Sequence, residues 1–410
     1  MVATLTRVFG VHNLALAEDV VQDAFCRALE VWKFRGVPEN PSAWLMATAK
    51  NRALDVLRRE RTARTFAPEL GRLLESEWTV APVIEELFGA NSIKDDRLRM
   101  MFSCCHPRLP EEAQVALMLH ILCGFTVNEV ASAFVSGRAA IEKRISRAKK
   151  VLAASKKLFD LSGADEFRGR LPAVQRALYL LFNEGYHGAS PESAVRAELC
   201  QEAMRLTALL LEHPLGATPS TYALAALMCL HAARLPARLD ASGNLSSLFE
   251  QDRSRWDSRL VAEGQQFLDA SATGSELTAY HVEAAIAWIH ATAHRTEDTD
   301  WGNIISLYDT LMTIRPSPVV ALNRAIAVAQ REGPKGGLEE IRKIADSDRL
   351  SAYPFYFAAL GELEFRCGRY EIARGHFQEA LACARNAMEQ QFFGQRVRAC
   401  ETVLPQEIPQ

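Results

Sequence analysis

The clearest hydrophobic pattern in the chain runs from Thr126 to Lys150 and predicts two helices joined by a short turn. Thr126 and Glu129 form the T-x-x-E capping box at the start of the first helix. Gly137 supplies the conformational freedom that the turn needs. One apolar stripe with the i, i+3, i+4, i+7 spacing of a helix face consists of Val127, Val130, Ala131 and Phe134. The second stripe consists of Ile141, Ile145, Ala148 and Leu152.

The second of these helices has a cationic front. Between Arg138 and Lys157 the chain has eight Lys/Arg residues and a single acid, Glu142. A helix with an apolar back and a cationic front, reached through a tight turn, is the helix-turn-helix arrangement for the DNA major groove. An ordinary helical hairpin with a solvated basic face gives the same pattern, so this stretch alone leaves both interpretations open.

Near the N-terminus the pattern predicts an amphipathic helix with an acidic polar side. Asp19, Gln22 and Asp23 occupy this polar side. The predicted broad apolar face consists of Val21, Ala24, Phe25, Ala28, Leu29 and Trp32.

A loop at Gly36–Pro38 precedes a further helix of about residues 41–61, which Asn40 can cap with Pro41 in the first position. Its inward positions are Leu45, Ala49, Ala53 and Val56. The other side combines an aromatic ring, small polar groups and arginines, which suits unstacked bases and a phosphate backbone. That side consists of Trp44, Thr48, Asn51, Arg52, Asp55, Arg58 and Arg59. Trp44 taken alone is more readily interpreted as a core residue.

The remainder of the chain also has helical periodicity, and no sustained period-two alternation predicts a strand, so we expect an all-α protein. Leu322, Ala325, Gly333 and Leu338 recur about 35 residues later as Phe357, Leu360, Gly368 and Ala373, the spacing of a tetratricopeptide repeat. The predicted segments are a domain at 1–66, a linker at 67–95, a helix-turn-helix domain at 96–157, a helical extension at 158–300 and repeat-like helices at 301–400.

Charge and composition change this picture only locally. The formal net charge of −3 argues against a protein that coats nucleic acid generally, but Lys50–Arg64 is a second basic segment, with six Lys/Arg. Two basic segments in a neutral chain indicate two separate phosphate-facing surfaces.

The nine cysteines show no C-x-x-C spacing, which predicts reduced, buried thiols in a cytoplasmic protein. Cys104-Cys105-His106 is a poor zinc site because adjacent cysteines chelate one ion badly, so we expect no metal and no cofactor. We also expect no membrane segment. The sequence contains no Gly-rich phosphate loop, no H-E-x-x-H motif and no G-x-S-x-G motif, so nothing in it indicates an enzyme.

Several motifs in fixed order resemble the sigma-70 superfamily, specifically the short extracytoplasmic-function type that has regions 2 and 4 only. The first unit contains AEDVVQDAFCRALEVW and NPSAWLMATAKNRALDVLRRER, and the second contains LPEEAQVALMLHILCGFTVNEVASAF and IEKRISRAKKVL. FNEGY, QDRSRWD and SPVVALNRAIAVA resemble the subgroup with a long C-terminal tetratricopeptide-like extension.

The resemblance implies a binding protein that carries bacterial core RNA polymerase to promoter DNA and has no catalysis of its own. The core-polymerase-binding residues that it implies are Asp19, Gln22, Asp23 and Phe25. Those for the melted −10 strand are Trp44, Thr48, Asn51, Arg52, Arg58 and Arg59. Those for the −35 element are Arg138, Ala140, Lys143, Arg144 and Arg147.

The sequence departs from the family pattern in both regions that the resemblance implies contact DNA. Met1–Gly10 supplies only the end of the usual first helix, and Glu142 adds an acid to the reading helix, where it would repel phosphate. A regulatory protein or ligand is a further expected partner for the C-terminal extension. The competing interpretation is a one-component regulator with the same helix-turn-helix and a C-terminal sensor domain.

Overall fold

The computed structural model describes residues 1–9, 14–63, 96–105, 108–134, 136–153, 164–188, 193, 195–240 and 243–403. Across these ranges the secondary structure is helical apart from turns and one isolated bridge between Leu239 and Leu245, so the all-α prediction is confirmed. The predicted linker, 67–95, lies outside the described residues. The chain divides into two compact units, and the five predicted segments stay predictions. Unit 1 consists of residues 1–131, 136–177 and 212–216, and unit 2 consists of residues 132–135, 178–211 and 217–410.

Unit 1 contains the two N-terminal amphipathic helices and the predicted helix-turn-helix. The side-chain amide oxygen of Asn40 accepts from the backbone N–H of Ala43 at 3.0 Å, which confirms the predicted cap. The helices of unit 1 are α1 (Val2–Phe9), α2 (Leu14–Arg35), α3 (Pro41–Ala63), α4 (Asp96–Cys104), α5 (Glu111–Ile121), α6 (Val127–Ala133) and α7 (Arg138–Ala153). The helix α8 (Ala164–His187) begins in unit 1.

The first three helices share a core made largely of small residues. Alanines let α2 and α3 approach closely, and every alanine of this core is buried to 2% exposure or less. The buried members of this core are Leu5, Ala17, Val20, Ala24, Ala28, Leu45, Ala49 and Ala53.

Unit 2 is built from helices that pack on their neighbours in the sequence. Its helices are α9 (Ala197–Glu212), α10 (Pro219–Ala232), α11 (Ser258–Ser271), α12 (Ala279–Thr292), α13 (Trp301–Ile314), α14 (Pro318–Glu332), α15 (Pro334–Arg342), α16 (Pro354–Arg366), α17 (Tyr370–Ala382) and α18 (Ala387–Val403). No described helix of the chain is both long and apolar enough to cross a membrane.

The weak repeat in the sequence coincides with two helical hairpins. Gly333 lies between α14 and α15 with φ of +92°, and Gly368 lies between α16 and α17 with φ of +76°. Because side chains rarely adopt positive φ, these glycines permit the turns of two equivalent helix pairs. Leu322, Leu338 and Leu363 contribute to the core that joins them.

Gly185 lies inside a helix and not at its end. Helix α8 continues through Gly185 to His187. A Cβ at Gly185 would lie 2.8 Å from the backbone oxygen of Arg196 and 2.8 Å from the backbone nitrogen of Cys200. Gly185 is therefore required for the close approach of two backbones rather than for a turn.

The charged run 250–257 leads into α11 and contains an ion pair, between the carboxylate of Glu250 and the guanidinium of Arg396. The carboxylate of Asp257 accepts from the backbone N–H groups of Arg259 and Leu260 and so caps α11. Arg253, however, donates to the backbone oxygens of His290 and Ala293 and not to a carboxylate.

Candidate nucleic-acid interface

The two helices predicted within Thr126–Lys150 form as the hydrophobic pattern indicates. The backbone N–H of Thr126 donates to the Glu129 carboxylate at 2.6 Å, and the backbone N–H of Glu129 donates to the Thr126 hydroxyl at 3.2 Å. This reciprocal pair confirms the capping box of α6. The second apolar stripe is also confirmed, since its four members, Ile141, Ile145, Ala148 and Leu152, are all buried.

The polar front of α7 is mostly open to solvent. Lys143, Arg147 and Lys150 are exposed, as is the small residue Ala140 near the start of the helix. Arg138 is exposed as well, and its Nε donates to Glu142 at 2.9 Å. Glu142 is thus paired within its own helix, which lowers the net positive charge at the N-terminal turn of α7.

Arg144 differs from the other predicted base contacts. Its side chain is only 27% exposed, and its Nη2 atom lies 3.0 Å from the Glu112 carboxylate of α5. This ion pair attaches α7 to α5, a structural role that the spacing of residues in α7 could not reveal.

On α2 the structure divides the predicted apolar face into two. Ala24 and Ala28 are buried, whereas Phe25 is 50% exposed and Leu29 is 77% exposed. The prediction of one inward face is therefore wrong for Phe25 and Leu29, which lie one helical turn apart on the surface. The exposed polar residues on the same helix include Asp19, Gln22 and Asp23.

On α3 the inward positions predicted from the sequence are buried at Leu45, Ala49 and Ala53. Trp44 is half-buried and meets the Trp32 ring edge-on, with ring centroids 5.5 Å apart. Thr48 is half-buried, and Asn51 is exposed. Trp44 therefore packs against the core of unit 1 with part of its surface still open to solvent. Arg58 and Arg59 belong to α3, but their side chains lie outside the described residues.

Two ion pairs in unit 1 join residues from different predicted surfaces. The Nε of Arg52, a predicted −10 contact, lies 3.0 Å from the carboxylate of Asp23, a predicted polymerase contact. The Nζ of Lys149 on α7 lies 3.0 Å from the carboxylate of Glu18 on α2. No local sequence pattern could identify the second pair, because its partners are 131 positions apart.

The structure gives no geometry for a metal centre in the parts of the chain that it describes. All nine cysteines are free thiols, five of which are buried, while Cys26 is exposed and so departs from the prediction of burial. Burial raises the pKa of Cys104 to about 12 and raises that of Cys105 further, so both are neutral thiols near neutral pH. His106 lies outside the described residues.

Two parts of the chain, the N-terminal helices and a stretch that lies largely in unit 2, match models of known protein families. Residues 1–63 match the family model of sigma-70 region 2, and residues 170–272 match a family of unknown function, DUF6596. An uncharacterized protein of Rhizobium meliloti (strain 1021), R00370, is 40% identical over 380 residues, which covers 92% of this chain and 88% of the relative. No solved structure matches the chain. The chain therefore belongs to the same family as the Rhizobium protein, and its residues 1–63 are similar to region 2 of the sigma-70 family, whose members are non-enzymatic factors of transcription initiation.

Proposed function

We propose that the chain is an extracytoplasmic-function type sigma factor that binds core RNA polymerase and directs it to promoters with −35 and −10 elements. The observation that carries this proposal is the match of residues 1–63 to region 2, combined with an exposed apolar pair on α2. Polymerase works in the cytoplasm, so the proposal places the protein there.

The proposed contact with polymerase is the outward side of α2. Phe25 and Leu29 expose apolar surface along one side of α2, and the carboxylates of Asp19 and Asp23 are exposed on another side of the same helix. Exposed apolar residues rimmed by polar ones are typical of a protein interface, and the carboxylates suit a basic partner surface. Gln22 adds a neutral hydrogen-bonding group to the same contact.

The proposed −10 surface is the outward side of α3. Trp44 keeps part of its ring open for an unstacked base, while Asn51 and Arg52 are exposed for base edges and phosphates. Thr48 lies between them on the same side, and the sequence places Arg58 and Arg59 two turns further on.

The proposed −35 surface is the front of α7. Arg138, Lys143 and Arg147 are exposed there for phosphates or guanine edges, and Ala140 leaves room for a close approach to DNA. The ion pair of Arg144 with Glu112 favours a positioning role for Arg144, with any contact to DNA secondary to it.

For the C-terminal part we propose a regulatory extension with tetratricopeptide-like repeats, supported by the two glycine-linked helix pairs α14–α15 and α16–α17. Stacked helix pairs of this kind commonly bind proteins. A truncation that tests the extension must retain α8, because the ring of Phe167 on α8 stacks on that of Phe102 at 4.3 Å.

The decisive experiment is run-off transcription on genomic DNA fragments with purified bacterial core polymerase, with and without the full-length chain. We expect the chain to direct initiation from discrete start sites. Phe25→Glu and Leu29→Glu should abolish this activity and the binding to core polymerase, because each places a charge in the proposed apolar contact.

Ile372→Glu is the matched control, since Ile372 is 51% exposed on a helix of unit 2. It should transcribe like the parent. A chain that binds DNA tightly without polymerase and directs no initiation would contradict the proposal and favour a one-component regulator instead.

A further inference from the structure

Three stretches that are far apart in the sequence meet within unit 2 around two aromatic rings. Tyr186 comes from the end of α8, Arg234 and Arg238 flank the short helix Leu235–Ala237, and Trp256 follows the short helix Arg253–Arg255. All of them belong to residues 170–272, the part matched by the family of unknown function. The function proposed above assigns no role to these stretches.

Cations and rings alternate in this cluster. The guanidinium carbon of Arg238 lies 4.7 Å from the centroid of the Tyr186 ring, and that of Arg234 lies 5.9 Å from the same centroid. The guanidinium carbon of Arg234 also lies 5.4 Å from the centroid of the Trp256 ring, and that of Arg253 lies 4.9 Å from the same centroid. We refer to Arg234, Arg238, Arg253, Tyr186 and Trp256 as the arginine cluster.

The two central arginines are buried, and among the described residues no carboxylate accepts a hydrogen bond from either. Arg234 is 9% exposed and Arg238 is 8% exposed. The Nε of Arg234 donates to the side-chain oxygen of Gln251 at 3.4 Å. Nη2 of Arg238 donates to the backbone oxygen of Tyr186 at 3.2 Å and to Nδ1 of His187 at 3.1 Å. None of these acceptors is a carboxylate, whereas a buried guanidinium ordinarily has an anionic partner because of its desolvation penalty.

The same cluster has hydrogen-bond donors that are buried and unused. Within the part of the chain that the structure describes, Nε of Arg238, Nε1 of Trp256 and the hydroxyl of Tyr186 have no hydrogen-bond partner, and Nδ1 of the adjacent His231 has none either. The Arg and Trp nitrogens can only donate, so they require acceptor atoms. Burial, reinforced by Arg234, lowers the pKa of His231 to about 3, so this histidine adds no positive charge at neutral pH and can supply a further donor.

One neighbour of the cluster has exposed surface. His187, whose Nδ1 accepts from Arg238, lies at the end of α8 with part of the residue open to solvent. A ligand that enters here would meet cations and donors at once.

We propose that the arginine cluster binds a small molecule through a phosphate group. A phosphate group offers three acceptor oxygens and close to two negative charges, which match two buried guanidinium groups and several unused donors. A carboxylate group offers only two oxygens and one charge, and a dicarboxylate such as succinate divides its two charges between separate groups, so neither places three oxygens and both charges at one point. The proposal is independent of the sigma-factor function, because binding is measured on the free chain.

The experiment measures binding to the full-length protein by isothermal titration calorimetry and by thermal unfolding at constant ionic strength. Inorganic phosphate, glycerol phosphate and succinate are the probes. We expect both phosphates to bind and to raise the unfolding midpoint, and succinate to have little effect. Tighter binding of glycerol phosphate than of inorganic phosphate would identify a phosphate ester as the ligand class, and the reverse order would identify the free ion.

Arg238→Gln and Arg234→Gln should each weaken phosphate binding at least about tenfold, because each removes a charge-assisted contact. Tyr186→Phe keeps the ring and loses only the hydroxyl, so it provides a variant that should fold normally and bind about threefold more weakly.

Two matched controls separate the arginine cluster from other cations. Arg259→Gln alters an exposed arginine shortly after Trp256, and Arg147→Gln alters the exposed front of α7. Both should bind phosphate like the parent. The proposal is overturned by an absence of phosphate binding in the parent, by equal binding of succinate, or by binding that Arg238→Gln and Tyr186→Phe leave unchanged.

Discussion

Arginine occurs in two contrasting settings in this protein, on the front of α7 and in the arginine cluster. Arg138 and Arg147 on α7 are exposed and hydrated, whereas Arg234 and Arg238 are buried against aromatic rings. Exposed cations release counterions when they meet a long polyanion, so their binding weakens steeply with salt. Buried cations are screened far less and suit a single small anion. Burial therefore distinguishes two classes of partner for the same side chain.

The largest effect that bears on this contrast should come from Trp256→Ala. Trp256 is 9% exposed and lies against Arg234 and Arg253, so its truncation leaves a cavity and removes a ring that stabilises two cations. We expect the free energy of unfolding to fall by about 3–5 kcal/mol. Urea unfolding followed by circular dichroism measures this change. Trp256→Phe, which keeps a ring, should lose less than half as much, and equal losses would show that the ring itself contributes little.

The second prediction concerns acid. Burial, reinforced by Arg234, lowers the pKa of both His231 and His290 to about 3. Unfolding restores an ordinary pKa near 6.5, so below that pH the unfolded chain binds more protons than the folded one. The free energy of unfolding should therefore decrease as the pH falls from about 6.5 towards 3, by about 2 kcal/mol for each histidine at pH 5.

Urea unfolding at a series of pH values tests this dependence. The groups that face these histidines most closely are cations, chiefly Arg234, Arg238 and Arg253. The double variant His231→Asn/His290→Asn should give a flatter profile between pH 6.5 and pH 5. An unchanged slope would mean that other groups cause the acid sensitivity.

The third prediction tests the exposed side of the contrast. Arg147→Ala should weaken binding of the polymerase complex to promoter DNA by about 1–3 kcal/mol, with stability changed by no more than about 0.5 kcal/mol. Arg144→Ala should also lower the stability of the free chain by up to about 1 kcal/mol, because it breaks the pair with Glu112. Fluorescence anisotropy with a labelled promoter and urea unfolding provide the two measurements. Equal DNA binding by Arg147→Ala and the parent would show that a different face of α7 meets DNA.

The smallest effect concerns the support of α7 by the preceding helix. Thr126→Ala removes one half of the capping box and should cost about 1 kcal/mol of stability. Asn128→Ala, at an exposed position of the same helix, is the control and should change stability by only a few tenths of a kcal/mol. If the two variants have the same midpoint in thermal unfolding, the capping box contributes nothing measurable.

Local chemistry explains which features could be predicted from the sequence. The capping box at Thr126, the cap at Asn40 and the buried stripe of α7 depend on residues within a few positions of each other, and all three appear in the structure. Phe25 and Leu29 were wrongly placed inward because apolar residues on both sides of a helix look like one broad face. Only the packing of α2 against α3 separates the two faces.

The arginine cluster could not be predicted, because its members come together only in the tertiary fold. Tyr186 and Arg238 are 52 positions apart, and Trp256 lies 18 positions further on. The sequence signal was present in the two aromatic motifs, FNEGY and QDRSRWD, but neither has the local spacing of a known binding motif. In the second motif, Arg253 lies against the Trp256 ring and donates to the backbone oxygen of His290, contacts that its local charges do not indicate.

Gly185 has a consequence for the arginine cluster although it touches none of its guanidinium groups. Its missing methyl group allows the backbones of α8 and α9 to meet, since a Cβ would lie 2.8 Å from the Cys200 nitrogen. The next residue is Tyr186, whose ring both central arginines share. A residue larger than glycine at 185 would have to displace one of these backbones directly beside Tyr186. The geometry of the arginine cluster therefore depends on glycine at this position.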